Sequence, residues 1–97
     1  MLDGAMNIGR ALSRALLEQQ SPAVRSMVTY MARCWADGYI PDQWEIAEAC
    51  GFQAPSRVSK TMPALADAGW ITWVSEPKPR SPRRYRLTEQ TRALVGT

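Results

Sequence analysis

The 97-residue sequence predicts one small domain, mainly α-helical and closed by a short β-hairpin. Three observations predict it. The length suits a single domain and leaves no room for a catalytic domain beside a binding domain. Between residues 6 and 68, apolar residues recur at three- and four-residue steps in four segments separated by Pro or Gly. From Ile71 the period changes to two, in two short runs either side of a proline-rich stretch.

Residues 6–19 read as the first helix, with Ile8, Ala11, Leu12, Ala15 and Leu16 on one stripe and Arg10, Arg14 and Glu18 off it. Ser21-Pro22 restarts the chain, Ser as an N-cap and Pro in the first turn. The second helix, 22–36, has an apolar face of Val24, Met27, Val28, Met31 and Trp35, and Gly38 supplies its exit. Asp42 caps a third, short helix ending at Cys50, and Glu45 three residues on makes a capping box. Its inward residues are Ile46, Ala47 and Cys50, and Gly51 ends it.

Pro55 then opens a helix over 55–68 whose inward face is Val58, Met62 and Leu65, and Gly69 stops it. Pro63 cannot donate to the carbonyl of Ser59, so a kink is expected there. Ile71-Thr72-Trp73-Val74 and Arg84-Tyr85-Arg86-Leu87 read as strands. The three prolines between them exclude regular pairing but stiffen an extended loop. Thr88 is expected to cap a last helix over 88–95.

Composition excludes several function classes. Hydrophobic residues at 45% and charged residues at 22% are globular rather than disordered values. No apolar run approaches the roughly 18 residues a membrane span needs. Met1 to Arg10 has no sustained apolar core, so no secretory signal is expected. Without His there is no His-based triad, no imidazole metal ligand and no imidazole pH switch. Cys34 and Cys50 lack CxxC spacing, which fits two small buried thiols in a reducing cytoplasm rather than a zinc site. Asp42, Glu45 and Glu48 read as caps and solvated charges. No nucleophile–base pair is present, so neither an enzyme nor a cofactor or metal is expected.

The net charge of +3 is unevenly placed. Residues 1–56 carry four arginines against six carboxylates, a net −2, whereas residues 57–97 carry eight basic against three acidic groups, a net +5. A basic half on a small domain suggests a polyanionic partner, nucleic acid first. Residues 43–69 supply the matching architecture: two helices joined by a tight turn, with Ala47 where the helices touch and Gly51 where the chain turns. That is what a helix-turn-helix needs to present its second helix to a major groove about 12 Å wide. The basic hairpin that follows is placed to act as a wing.

Gly38-Tyr39-Ile40-Pro41, Glu45-Ile46-Ala47-Glu48-Ala49-Cys50-Gly51-Phe52, Pro55-Ser56-Arg57-Val58, Ala64-Leu65 and Gly69-Trp70-Ile71 together resemble the DNA-binding domain of LexA-type repressors. The likeness runs without a gap from Gly38 to Ile71. Arg84-Tyr85-Arg86-Leu87-Thr88-Glu89 through Arg92-Ala93-Leu94 resembles the end of the wing and the closing helix of MarR- and PadR-like regulators. Both resemblances imply a winged helix-turn-helix fold and a DNA-binding transcriptional regulator. The self-cleaving protease domain of LexA repressors has no counterpart in the resemblance, so autocleavage is not expected. Ala54 stands where the family often has Ser, Met62-Pro63 replaces its Leu-polar pair, and the wing is longer and more basic. The target sequence therefore does not transfer.

On this reading Ser56, Arg57, Ser59, Lys60 and Thr61, with Ala54 at the helix start, form the groove-reading set, and they match by position the base-contacting residues of LexA-type domains. Arg and Lys suit guanine O6/N7, and Ser and Thr suit several bases or phosphate, although Lys60 serves a phosphate equally well. Lys78, Arg80, Arg83, Arg84 and Arg86 form the wing set, expected at the phosphate backbone or in a minor groove. Gln43 and Trp44 begin the first helix of the motif, where backbone amides approach phosphate, with Asp42 and Glu45 opposing. Trp35, Trp70, Trp73 and Tyr85 read as packing groups. The expected partners are double-stranded DNA and a second copy, because winged-helix regulators usually bind as dimers. The stripe of helix 6–19 would make that contact, or else close the domain's own core. A replication, partition or packaging module and a winged-helix protein-interaction domain are the alternatives.

Overall fold

A computed structural model describes residues 2–74 and 84–95. The elements are α1 (Leu2–Glu18), α2 (Pro22–Ala36), α3 (Gln43–Cys50), α4 (Pro55–Asp67), β1 (Ile71–Trp73), β2 (Tyr85–Leu87) and α5 (Glu89–Arg92), then a 3-10 turn, Ala93–Val95. The domain is mainly helical with one small antiparallel sheet, as the periodicity predicts.

Local chemistry fixes most boundaries. The Ser21 hydroxyl accepts the Val24 N–H at 3.4 Å, with Pro22 at the first helical position. Asp42 Oδ1 accepts the Glu45 N–H at 2.8 Å while Glu45 Oε1 accepts the Asp42 N–H at 3.3 Å, a complete capping box. Gly51 adopts a left-handed φ of 73°, and the Phe52 N–H closes the turn on the Ala47 carbonyl at 2.8 Å. By contrast α4 starts from Ala54, extended at φ −149° and ψ 147°, with no side-chain cap. Ala54→Ser is therefore expected to raise unfolding free energy by about 0.5–2 kcal/mol, read by urea denaturation. An unchanged midpoint would mean that another group already serves the first-turn amides.

The core lies where α3, α4 and the sheet close on α2. Val24, Met27, Val28 and Met31 meet Ile46, Ala47, Val58, Met62, Leu65, Trp70, Ile71 and Leu87. Two features depart from the sequence reading, the start of α1 and the role of Thr88, while the placement of the α1 stripe was left open between the core and a second copy. The described residues of the α1 stripe, Ala11, Leu12, Ala15 and Leu16, are turned away from this core: Leu12 is 61% and Leu16 42% exposed, while Ser13 is 4% exposed. The helix leans on α5 and the 3-10 turn by a different flank, with Leu17 packed against the core. It also begins at Leu2 rather than at residue 6.

α4 continues through Pro63 to Asp67. Pro63 and Ser59 are both exposed, so the carbonyl that Pro63 cannot satisfy lies on the solvent side of the helix. Thr88, finally, sits at the N-cap of α5 without capping it. Its hydroxyl donates instead to the Gly69 carbonyl, and the buried Thr91 hydroxyl donates to the Trp70 carbonyl, locking α5 onto the start of β1. Among the described residues no helix is long and apolar enough to cross a membrane.

Candidate nucleic-acid interface

The inward set of α4 decides what the helix presents outward. With Val58, Met62 and Leu65 buried, Ser56, Arg57, Ser59 and Lys60 are exposed and Thr61 is half-buried. Arg57 is held in place: its guanidinium lies 5.1 Å from the centroid of the Phe52 ring, itself half-buried against the core at the α3–α4 turn. That approach is a cation–π contact between the guanidinium and the ring. The Ser59 hydroxyl donates to Gln43 Oε1 at 2.8 Å, tying α4 to the start of α3. The Thr61 hydroxyl donates to the Arg57 carbonyl at 2.7 Å, one turn back, so it is engaged within the helix. Ala54 is exposed but offers only a methyl group, and Trp44 is 73% exposed.

Register organises the sheet. Ile71 pairs with Leu87, Thr72 with Arg86 and Trp73 with Tyr85, and the Val74 N–H adds a bond to the Arg84 carbonyl at 3.0 Å. Alternation turns Leu87 into the core and leaves Tyr85 half-buried, while Arg84 and Arg86 are exposed. The Tyr85 hydroxyl donates to the Pro41 carbonyl at 3.1 Å, anchoring the sheet to the loop ahead of α3, and burial pushes its pKa up. Lys78, Arg80 and Arg83 lie outside the described residues.

Between α3, α4 and the sheet lies a cleft of about 540 Å³. Ile46 and Met62 line it among other apolar groups, and Gln43, Ser59 and Arg84 converge on it. The cleft thus gathers one expected residue from α3, one from α4 and one, Arg84, directly ahead of β2, and Trp73 and Tyr85 form its sheet side. Asp42 also lines it, so the α3 side carries a carboxylate, one oxygen of which accepts the capping bond from Glu45.

Both cysteines are free thiols. Cys34 is buried beside Tyr30 and Tyr39, whose phenols are pushed above their ordinary range: Tyr30 by hydrogen bonds with Tyr39 and Cys34, Tyr39 by its hydrogen bond with Cys34. Burial pushes the Cys50 thiol up, away from the thiolate that a reactive cysteine needs. No group of three or more possible metal ligands occurs among the described residues.

Contacts within the candidate interface escape sequence reasoning. Phe52 stands five residues before Arg57 across a turn, a spacing outside any helical or strand period. The Tyr85–Pro41 bond joins positions 44 residues apart. Only the coincidence of an aromatic and an arginine flanking the turn hinted at the first. Comparison of the chain with protein-family models, with curated proteins and with solved structures gives no match.

Proposed function

We propose that the chain is a winged helix-turn-helix protein that binds double-stranded DNA sequence-specifically, as a small bacterial, phage or plasmid transcriptional regulator of the repressor kind. One observation carries this reading: the exposed side of α4 presents Ser56, Arg57, Ser59 and Lys60 while Val58, Met62 and Leu65 anchor its other side. A helix about 10–12 Å across fits a major groove about 12 Å wide. In that position Arg57 donates to guanine O6/N7, and Lys60 reaches a phosphate or a base edge. The exposed Arg84 and Arg86 serve the phosphate backbone or a minor groove, and Lys78, Arg80 and Arg83, which lie between the two strands in the sequence, extend that role.

Retardation of random duplex, followed by selection of bound fragments, tests the reading. A shared motif among selected fragments is expected, and no retained duplex at low salt would refute it. Replacing a phosphate-binding arginine lowers the slope of log affinity against log salt by about one unit. Arg86→Ala is expected to do so with equal loss on all sequences. An unchanged slope removes Arg86 from the phosphate set.

A second reading, a protein-interaction domain, has specific support in the exposed Tyr39, Ile40 and Trp44. It predicts that duplex is not retarded, so the same experiment separates the two.

A further inference from the structure

Between α1, α2 and the 3-10 turn lies a recess of about 290 Å³ that two arginines line from different helices. Arg14 of α1 and Arg33 of α2 border it with Thr29, and Leu17, Leu94 and Val95 supply an aliphatic wall. Thr29 and Arg33 also border a second recess of about 380 Å³, where Arg25 joins them. Three of the four arginines in residues 1–56 thus line two adjoining recesses, and no carboxylate lines either among the described residues. Glu18 and Asp37 stand four residues after Arg14 and Arg33, but neither arginine makes an ion pair among the described residues. Gathering like charges costs free energy that an anion between them offsets. The Thr29 hydroxyl is equally unused. Thr61 donates its hydroxyl one turn back along its own helix, whereas Thr29 makes no hydrogen bond among the described residues.

We propose that the recess between α1, α2 and the 3-10 turn binds a short-chain aliphatic carboxylate. Guanidinium groups hold carboxylates through paired N–H donors, and the Thr29 hydroxyl adds a further donor on the same side. The carboxylate sits among these three groups while its chain lies along Leu17, Leu94 and Val95, with the buried Ala32 beneath. The wall decides the class of ligand. It holds no aromatic ring, so a flat aromatic body has nothing to stack on. Inorganic phosphate would satisfy the arginines but leave the aliphatic wall in water. The volume lies just below the roughly 300–1,000 Å³ of pockets for drug-sized ligands, which limits the chain to a few carbons. The recess shares no residue with the cleft between α3, α4 and the sheet, and the inference does not rest on the DNA-binding reading.

Equilibrium dialysis of the full chain against labelled hexanoate tests the proposal. The native protein should retain hexanoate saturably, at a single site. Hexanol carries the chain without the charge, and acetate the charge without the chain, so neither should displace the label as unlabelled hexanoate does. Arg14→Gln and Arg33→Gln should each weaken binding roughly tenfold or more, the loss expected for a hydrogen bond between charged groups. Both side chains are exposed, so the thermal midpoint without ligand should not move. Arg25→Gln, which borders only the second recess, should bind hexanoate as the native protein does. Absence of saturable retention by the native protein overturns the proposal, as does displacement by acetate or hexanol that matches hexanoate. Full affinity in both Arg14→Gln and Arg33→Gln overturns it too. So does equal weakening in Arg25→Gln, which would indicate a diffuse field in place of a site. Should a glutamine variant unfold, the displacement series on the native protein decides alone.

Discussion

Trp70→Ala is expected to lower the unfolding free energy by about 3–5 kcal/mol, a large share of the roughly 5–15 kcal/mol of a typical domain. Trp70 is fully buried between α4 and β1, in the core cluster that also holds Met27, Met31 and Leu65. Its backbone is a junction: its N–H donates to the Leu65 carbonyl at 2.9 Å, and its carbonyl accepts from Thr88 N–H and the Thr91 hydroxyl. Removing the ring leaves a cavity where the last turn of α4, β1 and α5 meet. The indole N–H finds no acceptor among the described residues. Trp70→Phe discards that buried donor while keeping most of the apolar volume, so it should cost much less than the alanine variant. Urea unfolding of both variants checks the order, and equal losses would show that volume is not what Trp70 contributes.

Arg57→Ala should weaken binding to the selected duplex by about 1–3 kcal/mol, roughly 5- to 150-fold, and relax preference at one base pair. Arg57→Lys should recover little of this, because an ammonium neither stacks as a plane nor donates in a fork. Phe52→Ala is expected to weaken specific binding in the native background and to do less once Arg57 is alanine, since the ring acts through the guanidinium it supports. Binding that falls equally on every sequence in Arg57→Ala would move this residue into the phosphate-holding set.

The boundaries of α2, α3 and α4 were legible because their signals are local. Ser21-Pro22, the Asp42–Glu45 pair, Gly51 and Pro55 each act within a few residues of themselves. The exposed placement of Arg84 and Arg86 was legible for the same reason, since strand alternation needs no partner to be read. The orientation of α1 was not. An apolar stripe announces that something covers it but not what, and the flank holding Ser13 and Leu17 was selected by α5 and the 3-10 turn, some 80 residues away in the chain. Thr88 shows the same limit: its hydroxyl had a capping amide nearby, but the Gly69 carbonyl, 19 residues back, took the bond. At the candidate interface, residue types and helical period fixed which side chains of α4 face outward. The Phe52 shelf beneath Arg57 and the Gln43–Ser59 bond arise from how α3 and α4 cross, which periodicity does not contain.

The outer side of α4 is expected to occupy a major groove. Dimethyl sulfate footprinting on the selected duplex reads this directly, since guanine N7 lies on the floor of that groove. Protection of at least one guanine N7, restored to full reactivity in Arg57→Ala, is the predicted result. Bound duplex in which every guanine N7 stays reactive would contradict it.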